Sequence, residues 1–409
     1  MIHSLFVSDV LPRRPAGGAV RRMDLVTGAL AGLGPVDALF LAPPGTMLPP
    51  EETARFARTG VAPVPPYTGT RAFLEITARG PSAAYAAHQR RALEPVLPDW
   101  STGTRYDLVW FNRERAWLPL RGRFTGRTVV DVDDFEDVLI RRWARLGRGV
   151  WGAPLTPWQR VQARRSIAWW SRVHRRVARE ADVAVVTCAD DAARLGTERT
   201  AVVPNTYPAR PPAPPRTGGG ATILFQGSFD WAPNADGAAW LTGGILPLIR
   251  ERVPDATVVL AGAATPEVAA LAGPHVRVTG AVASMTPHLR AADLVVVPLR
   301  VGSGSRIKIL EAFAHGVPVV STTIGAEGLD VVAGEHLAVA DTAEDLARHC
   351  ADLLTDRARR DAAVTAAGRL HADRYLPEHA VARVREAALR ATADGTATAP
   401  VRAAHRRNT

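Results

Sequence analysis

Lysine is all but missing from this 409-residue chain: of 50 lysines and arginines, Lys308 is the one lysine. A sequence that writes arginine nearly everywhere and keeps one ammonium group points to a position where a compact charge does what a planar fork cannot. Cysteine is scarce too. Cys188 and Cys350 lie far apart and make no metal-type spacing, and a reducing cytoplasm is the simplest setting for them. No run of 18 apolar residues occurs, which excludes a membrane-spanning helix. The stretch Met1–Val10 lacks a basic region and is too short in apolar residues for a signal peptide, so it reads as a first buried strand. After that strand comes Gly17-Gly18 rather than Gly-x-Gly-x-x-Gly, which argues against a dinucleotide dehydrogenase. No short-period repeat is found.

What is present favours two cores. A chain of this length with 47% hydrophobic residues predicts two or three domains. The net charge of +10 suggests anionic partners, and a GC-rich genome accounts for part of the arginine excess. Short β-branched runs alternate with helix-length segments, the pattern of parallel α/β layers. Strands are expected at 4–10, 36–41, 108–111, 128–132, 183–187 and 201–203, then at 222–226, 257–261, 276–279, 294–298, 317–321 and 336–339. Residues 208–220, rich in Pro and Gly, read as a linker. The expected division is therefore a Rossmann-like domain over 1–207, the linker, a second such domain over 221–373, a closing helix over 374–390, and a small, basic, disordered tail over 391–409. Two such halves joined by a hinge face a central cleft, where ligands bind.

The run from Pro298 to Val320 reads as strand, Gly/Ser loop, helix, turn, strand. On a helical wheel at about 100° per residue, Lys308, Glu311 and His315 share one stripe, with Gly304 just ahead of it. Ile307, Ile309, Leu310, Ala312, Phe313 and Ala314 make the rest apolar, so the helix is buried and its charges need partners or a polar cavity. The loop ahead leaves the first backbone N–H groups free for an anion such as a diphosphate. A Lys308–Glu311 pair that satisfies itself is the competing reading. Arg306 lies about 160° from Lys308 on the wheel; it and Arg300 either lean toward a phosphate or pair with a domain acid. His315 is expected to bond carbonyls at the helix end, and Asn234 to cap a helix after Pro233.

From about Thr222 to Asp373 the sequence resembles the nucleotide-binding half of group 1 (family 4) retaining glycosyltransferases of GT-B fold. The motifs are Phe-Gln-Gly227-Ser-Phe-Asp-Trp-Ala-Pro-Asn234, then Val-Arg-Val-Thr-Gly280-Ala-Val282, the 298–329 block, and its ending Gly325-Ala-Glu-Gly-Leu. The first half matches more loosely, through Gly17-Gly18, Val130–Glu136 and Val202-Val-Pro-Asn205. The resemblance implies that Glu311 accepts hydrogen bonds from the nucleotide ribose and that Lys308 neutralises the donor diphosphate. It also implies that Gly227 lets backbone N–H groups approach the phosphates and that the Thr279–Val282 turn flanks the base. Gly304, Ser305 and Arg306 complete the expected donor site. The family's first glutamate falls at Ser303, so the identity of the donor sugar does not carry over.

Acceptors in this family bind on the first half, where Gly17 and Gly18 would floor the reacting groups. Asp131-Val-Asp133 looks like a metal motif, but this fold handles the diphosphate with a helix dipole and basic residues, and neither a metal nor another cofactor is expected. Asp133 stands where relatives carry a histidine; it either orients or deprotonates the acceptor hydroxyl or is a solvated turn acid, like Asp134 and Glu136. Residues 141–179 hold 11 arginines, no acid, and Trp143, Trp151, Trp158, Trp169 and Trp170. That composition suits either an anionic-membrane surface or an arginine-rich helix with its tryptophans in the core; no nucleic-acid module is recognisable.

The expected function is transfer of a sugar from a nucleoside diphosphate donor to a hydroxyl acceptor (a glycan, a lipid-linked sugar or a small molecule), retaining and metal-independent, in a bacterial cytoplasm or at the inner membrane face. A sugar-nucleotide epimerase or phosphorylase, and a non-catalytic nucleotide-binding scaffold, remain as alternatives on the same architecture.

Overall fold

The computed structural model describes residues 1–12, 17–148, 153–210, 221–304 and 306–393. Two parallel sheets organise it. The first contains β1 (Ser4–Ser8), β2 (Val36–Ala42), β3 (Arg58–Pro63), β4 (Leu108–Asn112), β5 (Arg127–Val132), β6 (Val183–Val186) and β7 (Thr200–Val202), in the order β3-β2-β1-β4-β5-β6-β7. The second contains β8 (Thr222–Gln226), β9 (Thr257–Ala261), β10 (Val276–Val278), β11 (Leu294–Val297), β12 (Val319–Ser321) and β13 (Ala338–Val339), in the order β10-β9-β8-β11-β12-β13. Helices cover both faces of each sheet, so the strands are apolar almost throughout, as in the Leu-Val-Val-Val of β11. Alternation along β1 sends Leu5 and Val7 to a layer with Trp117, and Phe6 to the opposite layer with Met23. This is the expected pair of Rossmann-like halves, the GT-B architecture.

Strand order reverses at β1 and at β8 in the two sheets. Crevices open at such switch points beyond the carboxyl ends of the strands, and the two crevices face each other here. Gly17 and Gly18 follow β1 and start the Gly18–Ala31 helix. Gly227 follows β8. A Cβ on Gly18 would lie 3.0 Å from Ile307 Cδ1, so the halves touch across the cleft at this point.

Most strands fall within two residues of their expected bounds, and β8 and β9 coincide with them. Strand β3 was not anticipated: Arg-Thr-Gly-Val-Ala-Pro has no apolar run, and as an edge strand it buries little besides Ala62. The expected tail from 391 is corrected in part. The last helix runs Pro377–Ala393 and returns to the first half, where Ala380, Val384, Ala387, Ala388 and Ala391 pack with Phe6, Phe40 and Trp110. Burying Val384 alone contributes about 2 kcal/mol. Residues 394–409, and 211–220 of the expected linker, lie outside the described residues.

The arginine-rich stretch forms the helices Glu136–Arg145 and Pro157–Glu180. The second begins with a capping box between Thr156 and Gln159. Its buried stripe of Gln162, Ser166, Trp170, Val173, His174 and Val177 faces the core. Trp143 and Trp170 are buried and Trp169 packs beside them, so three of the five tryptophans belong to the interior. Trp158 is 48% exposed, and Trp151 lies outside the described residues.

Candidate functional site

The floor of the second crevice is built from glycines. Gly227 has φ +152°, and a Cβ there would lie 2.7 Å from Asn234 Nδ2 and 3.4 Å from Lys308 Nζ. Gly262, after β9, leaves no room either: its Cβ would meet the Gly227 carbonyl oxygen at 1.9 Å. Its N–H donates to the Gly280 carbonyl at 3.2 Å. Three successive strand ends thus present bare backbone, and the Thr279–Val282 turn continues from the third with Val282 half-exposed.

The buried helix is Ile307–Ala314. Arg306 precedes it in extended conformation and no side chain caps its first N–H groups. Lys308 Nζ donates to Asn234 Oδ1 at 2.6 Å and lies 4.9 Å from the Phe225 ring centroid. Its partner is therefore a neutral amide, not Glu311. Burial pushes its pKa down to about 7, the Arg306 charge adds to that, and Glu311 opposes it. The expectation for Asn234 is corrected: the helix Ala232–Trp240 begins two residues earlier with Trp231 at the N-cap, leaving Asn234 inside its first turn. There its Nδ2 donates to the Ser228 carbonyl at 2.7 Å, which fixes Oδ1 toward Lys308.

Glu311 is buried on the same stripe, one turn on. Burial raises its pKa, opposed first by Arg21 and then by a hydrogen bond from Gln226. Gln226 Nε2 donates to the Lys308 carbonyl at 3.0 Å and reaches Glu311 Oε2 at a long 3.5 Å. Arg21 Nη2 approaches Glu311 Oε1 at 3.6 Å from the first half. His315 behaves as expected, its Nδ1 bonding the Glu311 carbonyl at 2.8 Å at the helix end.

The wall opposite is more fully paired. Arg22 donates to both oxygens of Asp131, at 3.0 and 2.6 Å, and to Val203 O and Asn205 Oδ1. Asp131 is thereby committed to a buried ion pair. Asp133 Oδ1 accepts from Asn205 Nδ2 at 3.3 Å and lies 3.8 Å from Arg22 Nε. Neither Asp133 nor Asp134 is a solvated turn acid, which corrects that reading. Asp134 Oδ1 accepts from Ser303 Oγ at 3.2 Å across the cleft. Enclosure raises its pKa to about 7, helped by the Asp133 charge and opposed by Arg306 and Arg113. Arg113, at the end of β4, is the one non-glycine residue with positive φ (+83°) among the described residues.

The loop 299–306 links the two walls. Arg300 pairs with Asp236 through two hydrogen bonds at 3.0 and 2.7 Å, and Arg148 joins the same carboxylate at 3.0 Å. For Arg300 the domain-acid reading therefore holds. Arg142 grips Glu327 at 2.6 and 2.7 Å and also bonds the Gly302 carbonyl. Gly304 has φ +73°, and a Cβ on it would fall 2.4 Å from Asp134 Oδ1. Arg306 folds back to the Ser303 carbonyl. It is 6% exposed, yet its Nε and Nη2 have no hydrogen-bond partner. Such a buried cation is costly without a counter-charge. Ser305 lies outside the described residues.

The structure thus gathers Lys308, Glu311, Gly227, Gly304, Arg306, Gly17, Gly18 and Asp133 around one cleft. Gln226, Arg21, Asn234 as the partner of Lys308, and the Arg142–Glu327 clasp were not anticipated. A signal existed for Gln226, an amide closing an otherwise apolar strand.

Comparison with known proteins agrees with this geometry. Residues 220–356 match the family model described as Glycosyl transferases group 1. No curated protein sequence matches the chain. Sucrose-phosphate synthase from Thermosynechococcus elongatus superposes with a TM-score of 0.69 at 18% identity, covering 94% of this chain and 98% of its own. WaaG, a glycosyltransferase involved in lipopolysaccharide biosynthesis, gives 0.61 at 17% identity, covering 94% and 99%. Anabaena HepE in complex with UDP-glucose gives 0.61 at 13% identity, again covering 94% and 99%. At such identities these likenesses establish the fold, and the family model matches the region that carries the glycine floor, Lys308 and Glu311. The chain has the GT-B fold, and its residues 220–356 match the group 1 glycosyltransferase family model.

Proposed function

We propose that the protein moves a sugar from a nucleoside diphosphate donor to a hydroxyl acceptor, with retention of anomeric configuration and without a metal. One observation carries the reading: a part-buried ammonium, held by a neutral amide, stands at the glycine floor beside an uncapped helix N-terminus. A diphosphate there supplies the counter-charge that Lys308 lacks. As the bond from the sugar to the diphosphate breaks, negative charge grows on the leaving oxygen. Lys308 and the helix N-terminus stabilise it without reorganising. Glu311, steadied by Gln226 and Arg21, accepts from the ribose, and the Thr279–Val282 turn flanks the base. HepE, whose fold the chain shares, is described with UDP-glucose bound, which supports this choice of donor class.

On the facing wall Gly17 and Gly18 leave space for the acceptor. Asp133, oriented by Asn205 and Arg22, is the group we assign to aligning its hydroxyl and taking its proton. A lipid-linked acceptor draws support from the outer face of the first half. Phe73 and Leu74, 62% and 60% exposed, lie on the Gly69–Arg79 helix. Arg165 ties the end of that helix to the Pro157–Glu180 helix bearing exposed Trp158. Flotation with anionic vesicles checks this: salt-sensitive binding that Phe73→Ser/Trp158→Ser abolishes is expected, and no binding defeats it.

The donor assignment is tested by Lys308→Ala. Transfer should fall by about 10²-fold or more, the loss of a charged hydrogen bond in a buried site, with the fold intact by circular dichroism. Near-parental activity would sink it. Glu311→Ala should chiefly weaken nucleotide affinity.

A further inference from the structure

The loop that precedes the buried helix offers little to a sugar. Of its described polar side chains, Arg300 is committed to Asp236 and Ser303 to Asp134, and Arg306 bonds its own loop carbonyl through one nitrogen only. Yet the same spot is not empty of negative charge. Asp134 reaches it from the opposite half, with Oδ1 against Ser303 Oγ and within 2.4 Å of where a Gly304 side chain would begin. Gly304 is thus small for a second reason beside its φ of +73°: the carboxylate occupies the space.

Two features mark Asp134 as a ligand-binding group rather than a structural acid. It is enclosed, yet among the described residues its one hydrogen bond is to a hydroxyl, whereas nearby Asp131 is held by a bidentate guanidinium. The Arg306 guanidinium whose charge it feels keeps two N–H groups unpaired. A hydroxyl already sits on its oxygen in the form of Ser303, so a sugar hydroxyl exchanges for it with the same chemistry.

We propose that Asp134 binds the hydroxyls of the donor sugar, delivered across the cleft to the position where the loop places Ser303. The sugar displaces the Ser303 hydroxyl and accepts the unpaired N–H groups of Arg306 on a neighbouring oxygen. Sugar recognition therefore depends on closure, because the carboxylate and the phosphate-binding helix belong to different halves. This rests on the donor site proposed above.

The test separates the sugar from the nucleotide. Calorimetry on the full chain compares UDP, GDP and ADP with their glucose conjugates. For the nucleotide that binds, Asp134→Ala and the near-isosteric Asp134→Asn should each weaken the sugar conjugate about tenfold or more. Affinity for the bare diphosphate should stay within about twofold. Adding Ser303→Glu to Asp134→Ala returns a carboxylate to the same spot from the loop side and should restore most of the lost preference. Equal weakening of both ligands would make Asp134 structural and overturn the proposal, as would no change in either. If no nucleoside diphosphate binds the parent chain, the donor site itself falls, and this inference with it.

Discussion

The two walls of the cleft hold their charges in opposite condition. On the first half Arg22 and Asp131 are matched oxygen for nitrogen, and Asn205 braces Asp133. On the second half Lys308 has only an amide, Arg306 has unpaired N–H groups, and Glu311 has long contacts at 3.5 and 3.6 Å. A saturated network rigidifies; an unsaturated one is stable only while the remaining fold carries its cost. The difference separates scaffold from binding surface better than burial does, since each set mixes buried and part-buried groups.

The largest effect that would break this contrast is on stability. Arg22→Met strands the Asp131 carboxylate and should cost about 3–5 kcal/mol in urea unfolding. Lys308→Met removes an unmatched charge and should remain within about 1 kcal/mol of the parent while abolishing diphosphate binding. Equal destabilisation by both would make Lys308 part of the scaffold.

A second, smaller effect is on pH. Lys308 has its pKa lowered from 10.5 to about 7, so between those values the unfolded chain holds a proton that the folded chain has released. Its contribution to stability therefore rises with pH across that window, the reverse of a lysine whose pKa is raised. A bound diphosphate recharges it. Affinity should fall above about pH 7, by at most about tenfold per pH unit, with proton uptake visible by calorimetry in buffers of different ionisation enthalpy. Lys308→Met should flatten that slope. A slope that persists in the variant assigns the proton elsewhere.

The smallest effect concerns the clasp. Arg142 and Glu327 are part-exposed, so Glu327→Gln should cost about 1 kcal/mol or less. Its readout is shape: a larger radius of gyration by small-angle scattering in the free protein, lost again when donor is added. An unchanged radius means the clasp does not govern closure.

What the sequence disclosed follows from range. Strand positions are local and apolar, so β8 and β9 could be read to the residue, whereas edge strand β3, with its arginine and glycine, could not. The Lys308–Glu311 stripe was legible because helical spacing is local. Asn234 was misread because the capping rule looks only at neighbours, while the demand that fixes it comes from residue 308. The Asp134–Ser303 contact spans 169 residues, and no periodicity in the chain encodes such a meeting.

The returning Pro377–Ala393 helix has a further consequence. The chain passes between its halves once after β7 and again before this helix, and the two passages are stitched together. Tyr207 N–H donates to the Tyr375 carbonyl at 3.0 Å, and His371 Nε2 bonds the Tyr207 carbonyl at 2.9 Å. A door hung at two points on one edge swings about a single line. Severing one passage still leaves the halves tethered by the other at high effective concentration. Nicked enzyme should therefore keep its activity where a singly linked pair would drift apart.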